Sequence, residues 1–264
     1  LVMSMLFPDD GRVSVLGGSA LEVKDRIGYL PEERGLYRKM KVGAFLTYLA
    51  RLKEVDEADV MKRVRYWLER VGLAEVERKR CEELSKGMQQ KVQFIAAVLH
   101  EPELLILDEP FSGLDAINQG KLEGLIRGLA DNGTTVIFST HVIAHAERLC
   151  ENIAIIAGGK VPYAGSVDVA RDRIPAQVRL ETRSGDGPWR AALPDTARHD
   201  AKAGGSHFWY FPLPAGGIEA LLKRLIEGEA GVLSLSIERA GLHDAFVEIA
   251  GAAAAKAMKD EVQP

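Results

Sequence analysis

The stretch Glu103-Leu104-Leu105-Ile106-Leu107-Asp108-Glu109-Pro110-Phe111-Ser112-Gly113-Leu114-Asp115-Ala116 decides the fold. Leu104 to Leu107 form a short, wholly apolar run, which is the pattern of a strand buried on both faces of a parallel sheet. Asp108 and Glu109 follow where such a strand surfaces, and crevices at the carboxyl ends of parallel strands are where α/β folds bind ligands. Pro110 has no N–H with which to continue a ladder, and Gly113 lets the next turn bend tightly. Two adjacent acids placed at the end of a buried strand suit two roles, one holding a metal and the other handling a proton. Taken alone, the dipeptide reads first as a strand ending in a solvated acidic turn. Its neighbours reverse that order.

Leu84-Ser85-Lys86-Gly87-Met88-Gln89-Gln90-Lys91 precedes the strand, and Ser139-Thr140-His141 closes another apolar strand after it. In this order and spacing the three stretches resemble the ATP-binding cassette (ABC) ATPases. The first is similar to the family's LSGGQ signature, the second to Walker B with its catalytic glutamate and D-loop, and the third to the switch histidine. The resemblance covers residues 1–165. It implies an α/β fold of the P-loop NTPase type, with a mainly parallel sheet, a helical subdomain over about residues 38–100, and ATP and Mg²⁺ as ligands.

The resemblance also implies roles. Asp108 would hold Mg²⁺, and Glu109 would orient and deprotonate the attacking water. Ser85, Gly87 and Gln89 fall in the signature, which binds the γ-phosphate of a nucleotide held by the other protomer of a homodimer. His141 would contact the γ-phosphate in cis, and Asp115 would link the two sites across the interface. Lys86 and Met88 stand where the family usually has Gly and Gln. Read from the residues alone, Ser85 is a helix N-cap, and Gly87 leaves room for close approach to a helix start, where free amides attract anions. Phosphoryl transfer of this kind is mostly positioning and charge neutralisation, so several dispersed loops share the work.

Composition narrows the alternatives. The chain has 264 residues, with 34 basic and 38 acidic ones, a net charge of −4 and a pI near 5.9. That is no global footprint for nucleic acid. Cys81 and Cys150 form no spaced framework, so both are expected as reduced packing residues of a cytosolic protein. No apolar run approaches the ~20 residues that span a bilayer. The opening Leu1-Val-Met-Ser-Met-Leu-Phe7 lacks the basic stretch of a signal peptide. It reads as an apolar helix that ends at Pro8-Asp9-Asp10-Gly11, followed by a strand over Arg12–Leu16.

In the family that first helix grows out of the P-loop, Gly-x-x-x-x-Gly-Lys-Ser/Thr, whose amides and lysine hold the phosphates. The motif does not occur in this sequence: Gly158-Gly159-Lys160-Val161 reads as a hairpin turn, and Gly120-Lys121 lies within a helical pattern. The resemblance therefore implies a chain that lacks its Walker A segment at the N-terminus.

Ile27-Gly28-Tyr29-Leu30-Pro31-Glu32-Glu33-Arg34-Gly35-Leu36-Tyr37 is a short strand running into a loop. Glu32 stands where the family usually has a glutamine that touches Mg²⁺ and the attacking water. A carboxylate can ligate Mg²⁺, although it adds negative charge beside a triphosphate. The other reading is that Glu32 and Glu33 are solvated loop acids. Leu-Pro-Glu-Glu-Arg-Gly-Leu-Tyr resembles one branch in particular, exporters whose permeases are separate membrane proteins. Three helices are expected next, on the stripes Val42/Phe45/Leu46/Leu49, Met61/Val64/Leu68/Val71 and Met88/Val92/Ile95/Leu99, with Tyr66 and Trp67 in the core. A further helix follows at Leu122, Leu125, Ile126 and Leu129, capped by Asn132-Gly133, before a strand at Thr134–Phe138. His145 reads as a surface residue.

From about Gly165 the grammar changes to strands at Val178, His207–Phe211 and Leu233–Ile237 and helices at Ile218–Ile226 and Leu242–Ile249, with a polar segment over 184–206 and a frayed end over 252–264. The domains expected are an ATPase domain at 1–165 and an accessory α+β domain at 166–264. The resemblance implies the ATP-hydrolysing subunit of an ABC exporter, a homodimer attached peripherally to the cytoplasmic face of the membrane through an integral permease, with no nucleic acid partner. Two other classes stay open: a soluble ABC ATPase acting on nucleic acid or ribosomes, and a non-catalytic regulatory subunit.

Overall fold

The computed structural model describes residues 2–3, 5–33, 35–201, 206–214 and 216–261. The chain forms two compact units, Leu1–His141 and Val142–Pro264. The sequence pattern places the change at residue 165, whereas the contacts place it at residue 142. The reason lies in the apolar residues of 143–171: Ile155, Tyr163, Val167 and Ala170 build a core with Leu242, Ala245 and Ile249 near the chain end.

The first unit is built on β1 (Ile27–Leu30), α1 (Val42–Leu52), α2 (Glu57–Arg70), α3 (Lys86–Val98), β2 (Leu104–Asp108), α4 (Ala116–Asp131) and β3 (Thr135–Ser139). Its sheet is parallel, in the order β1-β2-β3, with Leu30 beside Leu107 and Asp108 beside Ser139. The apolar run therefore occupies the central strand, with Leu105 and Leu107 wholly buried. All three strands run the same way, so the ends of β1, β2 and β3 deliver the Glu32 loop, Asp108-Glu109 and His141 to one edge.

Helices α1 to α3 carry the expected stripes. Val42, Phe45 and Leu46 are buried on α1, Val64, Trp67 and Leu68 on α2, and Val92, Phe94 and Ile95 on α3. Trp67 meets Phe94 edge-on at 6.1 Å. Asp56 caps α2 by accepting from the Ala58 amide at 2.9 Å, and Ser85 caps α3 by accepting from Met88 at 3.3 Å. Gly28 must be glycine here, because a Cβ would lie 2.1 Å from the Ala97 carbonyl oxygen.

Several expectations are corrected. Tyr66 is not core: it stands 51% exposed, edge-on to Trp67 with Arg70 over its ring. The opening helix and the strand at 12–16 are not formed among the described residues. Val2 and Met3 lie in a turn, Met5 and Leu6 in a bend, and Val15 makes a single bridge to Gly18. Leu6 and Phe7 are exposed and have no surface of the described residues to bury against. Leu16 and Gly17, both with positive φ, turn the chain before a ladder can start.

The second unit contains α5 (Ile143–Leu149), the hairpin β4 (Asn152–Ala157) and β5 (Lys160–Ser166), α6 (Val167–Arg171), β6 (Gln177–Thr182), β7 (Arg198–Ala201), β8 (His207–Pro212), α7 (Gly217–Glu227), β9 (Val232–Glu238) and α8 (Leu242–Glu261). Gly158 and Gly159, at φ +55° and +70°, make the hairpin turn that their sequence announced. The sheet is antiparallel, in the order β7-β8-β6-β9, and covers Trp189, Trp209, Phe211, Leu221 and Leu225.

Strand β7 and the buried Trp189 both fall inside the segment read as polar. Arg198-His199-Asp200-Ala201 has no apolar alternation, and it is a strand because β8 pairs with it. His145 is buried rather than on the surface, with its Nδ1 3.0 Å from the Arg148 guanidinium. Helix α8 runs to Glu261. Arg34 and residues 262–264 lie outside the described residues.

Candidate functional site

The site grows from the end of β2. Asp108 is the last residue of the strand, and its Oδ1 accepts the hydroxyl of Ser139, which lies directly across the ladder on β3. Asp108 is held by β3 on one side and is half-exposed on the other. Glu109 then leaves the ladder with φ +45°, the left-handed region that a residue with a Cβ rarely adopts. Such strain persists only where the surroundings over-determine it, and it gathers at functional sites.

The surroundings of Glu109 do over-determine it. Its amide donates to the Ser139 carbonyl at 3.1 Å. Its carboxylate accepts the Thr140 hydroxyl at 3.3 Å, the His141 amide at 2.7 Å and the His141 Nδ1 at 2.7 Å. A carboxylate has no proton to offer, so Nδ1 carries the hydrogen and Nε2 of the neutral ring keeps a lone pair. The Glu109 side chain is 15% exposed and the His141 side chain 82% exposed. The acid is thus sheltered while the ring that touches it faces outward.

The signature stretch and the turn after Glu109 lie against each other. A Cβ on Gly87 would sit 3.1 Å from the Gly113 carbonyl oxygen and 3.3 Å from a Leu114 methyl. Within this chain Gly87 therefore serves close packing as well as access to the helix start. Ser85 is exposed and uses its hydroxyl on the Met88 amide. Gln89 has backbone partners in this chain. Its Nε2 donates to the carbonyls of Cys81 at 3.2 Å and Leu84 at 3.1 Å, so this amide fastens the loop before α3.

Asp115 caps α4. It accepts the Asn118 amide at 2.9 Å and the Asn118 side-chain amide at 2.7 Å, bonds that hold its carboxyl below the usual aspartate range. Lys91 reaches over from α3 to the Asn118 Oδ1 at 2.6 Å and the Val71 carbonyl at 3.0 Å, and burial pushes its pKa down. Glu32, two residues past β1, is exposed at the same edge of the sheet. Among the described residues no group of three or more His, Cys, Asp or Glu side chains converges to hold a metal. A cation here would rest on fewer than three such side chains of the described residues. That suits Mg²⁺, which keeps waters and takes substrate phosphates as its other ligands.

Asn118, Lys91 and Gln90 are the site residues that the sequence reading missed. Gln90 is buried, and it donates to the carbonyls of Glu109 and Pro110. Its signal is a polar side chain on a helix buried on almost every side, where seven of the residues from Gln90 to Val98 are inaccessible.

A family model described as ABC transporter matches residues 1–112. The uncharacterized ABC transporter ATP-binding protein YhaQ of Bacillus subtilis is 36% identical over 263 residues, covering 96% of this chain and 84% of that protein. The chain belongs to the ABC transporter ATP-binding protein family.

A second ABC transporter ATP-binding protein, BpOF4_11395 of Alkalihalophilus pseudofirmus, is 46% identical over 168 residues, covering 63% of each protein. This chain thus spans less than two thirds of that relative's length. A solved structure described as the ATP binding subunit of an ABC transporter superposes with a TM-score of 0.61 at 30% identity, over 65% of this chain and 73% of that one. The ABC family binds ATP, and the fold of this ABC protein is the mixed α/β arrangement with a parallel sheet that the family implies. Among the described residues no helix is long and apolar enough to cross a membrane.

Proposed function

We propose that this ABC protein is the ATP-hydrolysing subunit of an exporter, working as a homodimer on the cytoplasmic face of a membrane through a separate integral permease. The observation that carries the catalytic part is the grip of Thr140 and His141 on the carboxylate of the strained Glu109. A base must be within hydrogen-bond reach of the water that it activates and must hold its orientation there. Glu109 is held from β3 while its strand ends at an open edge.

In this reading Asp108 would hold Mg²⁺, with Glu32 at the same edge. The cation would supply charge neutralisation for the phosphates. Asp108 keeps a fixed direction because the Ser139 hydroxyl binds one of its oxygens. Glu109 takes a proton from water, and the His141 amide and Nδ1–H stabilise the carboxylate before it does so. For His141 to donate to a γ-phosphate through Nε2, the ring must gain a second proton and act as an imidazolium. Ser85 and Gly87 place the start of α3 as the anion-binding end that faces the other protomer, and Asp115 holds the turn between them and α4. Residues 1–264 contain no Gly-x-x-x-x-Gly-Lys-Ser/Thr, so the lysine and amide cradle of a P-loop are not among these residues.

The exporter part is supported by the likeness of Leu30–Tyr37 to exporter subunits and by the family itself. The loop after β1 also presents apolar side chains. Tyr37 is 53% exposed and packs edge-on against Phe45 and Tyr48, each at 6.0 Å. Such anchors suit a short helix of a permease laid in a groove.

The catalytic reading is tested with Glu109→Gln in a form of the protein that carries a P-loop ahead of residue 1. Turnover should fall ~10²- to 10⁴-fold, the usual contribution of a general base, while ATP binding persists and the ATP-bound dimer no longer separates on size-exclusion chromatography. Hydrolysis near the normal rate would mean that Glu109 is not the base.

A further inference from the structure

The most enclosed polar side chain of α3 belongs to Gln90, which is 1% exposed. Its Nε2 lies 3.3 Å from the Glu109 carbonyl oxygen and 3.1 Å from the Pro110 carbonyl oxygen. A primary amide carries two N–H groups, so one nitrogen can serve both carbonyls. These carbonyls belong to the turn in which Glu109 takes its φ of +45°. The Ser112 amide also donates to the Glu109 carbonyl, at 3.1 Å, and closes the turn from the other side.

The rest of α3 is fastened to the same segment independently. Gly87 packs on Gly113 and Leu114, and Lys91 bonds Asn118. Removing the Gln90 amide therefore leaves the helix seated and releases the Glu109–Pro110 turn alone. No apolar or acidic side chain of similar size could replace it, because the partners are two acceptors and need a donor.

We propose that Gln90 is a positioning residue for Glu109: by holding the Glu109 and Pro110 carbonyls it fixes the left-handed turn that keeps the Glu109 carboxylate on the Thr140 and His141 donors. Its catalytic consequence rests on Glu109 being the base. Its structural consequence does not. A misplacement of a reacting group by about 1 Å can lower a rate ~10²-fold, so losing this hold acts on turnover more than on nucleotide binding.

Two measurements on Gln90→Met, which keeps the volume and removes the donor, decide the matter. The first uses the 264-residue chain. Exchange of the Ser112 amide, bonded to the Glu109 carbonyl, and of the His141 amide, bonded to the Glu109 carboxylate, should each accelerate at least 10-fold, while the urea midpoint stays near that of the parent. The second uses the form carrying a P-loop, where kcat should fall at least 10-fold with KM within twofold. Gln90→Glu, with an acceptor facing acceptors, should be no better than Gln90→Met. Unchanged Ser112 and His141 exchange with normal kcat overturns the proposal. So does a loss of stability that accounts for the loss of turnover, since Gln90 is then only a core residue. If Glu109→Gln hydrolyses ATP normally, the base assignment fails, and the Ser112 and His141 exchange still decides whether Gln90 holds the turn.

Discussion

The carboxylate of Glu109 takes both the backbone amide and the ring Nδ1 of His141, each at 2.7 Å. One residue thus supplies two bonds to the proposed base, and only one of them depends on its side chain. His141→Ala keeps the amide and the Thr140 hydroxyl on Glu109 and removes the ring. In an ATP-hydrolysing form carrying a P-loop, we expect kcat to drop ~10²-fold or more, as for loss of a charge-stabilising donor, with ATP affinity nearly unchanged. Steady-state kinetics beside equilibrium nucleotide titration separates the two. Equal losses in both would place His141 in ground-state binding instead.

The loop after β1 yields a prediction about partners. Tyr37 is exposed, and Leu36 and Met40 are half-buried, on a surface shared with Tyr48 of α1. Replacing a central anchor of a docked helix can cost about 2 kcal/mol or more. Leu36→Asp or Tyr37→Asp should therefore abolish co-purification with the membrane subunit while basal ATPase persists. Undiminished association in both variants would remove this loop from coupling to the permease.

Stability should depend on pH through His100. Its ring is buried near Lys53, and its Nε2 lies 3.2 Å from the Ile27 carbonyl oxygen. Burial first, and then the Lys53 charge, push its pKa down from 6.5 to about 4. The unfolded chain gains this proton below its ordinary pKa, whereas the folded chain resists it until about pH 4. The stabilisation is therefore complete above 6.5 and is lost as pH falls through that window, about 3 kcal/mol in all. Between pH 7 and 5.5 the loss should be about 1 kcal/mol. Urea unfolding at both pH values should show it, and His100→Gln should flatten the difference. An equal slope in the variant would assign the pH dependence to other groups.

Gly28 and Gly124 make a matched pair. A methyl on Gly28 would collide with the Ala97 carbonyl, a Leu105 methyl and the Pro102 ring, whereas one on Gly124 of α4 meets nothing within 4 Å. Gly28→Ala should cost about 3 kcal/mol or more, as overpacking against backbone does. Gly124→Ala should add up to about 1 kcal/mol of stability, because alanine favours a helix interior. Urea midpoints measure both, and a tolerated Gly28→Ala would contradict the tight approach of β1 to the end of α3.

By itself the sequence determined the central strand, the helix caps and the family. Leu104–Leu107 had the pattern of a buried strand, Ser85 sat where a cap belongs, and the three linked motifs pointed to the family. These features are local, set by side-chain periodicity, turn residues and spacing. Tertiary structure alone decided which polar groups meet. Gln89 and Gln90 are neighbours of one type, yet one fastens the loop before α3 and the other holds the turn at Glu109, because the helix presents them to different surfaces. Arg198–Ala201 became a strand only because β8 offered its edge, and His145 became buried only because the residues around it fold over it. Hydrogen-bond partners are set by atoms distant in sequence and close in space, and no periodicity along the chain records them.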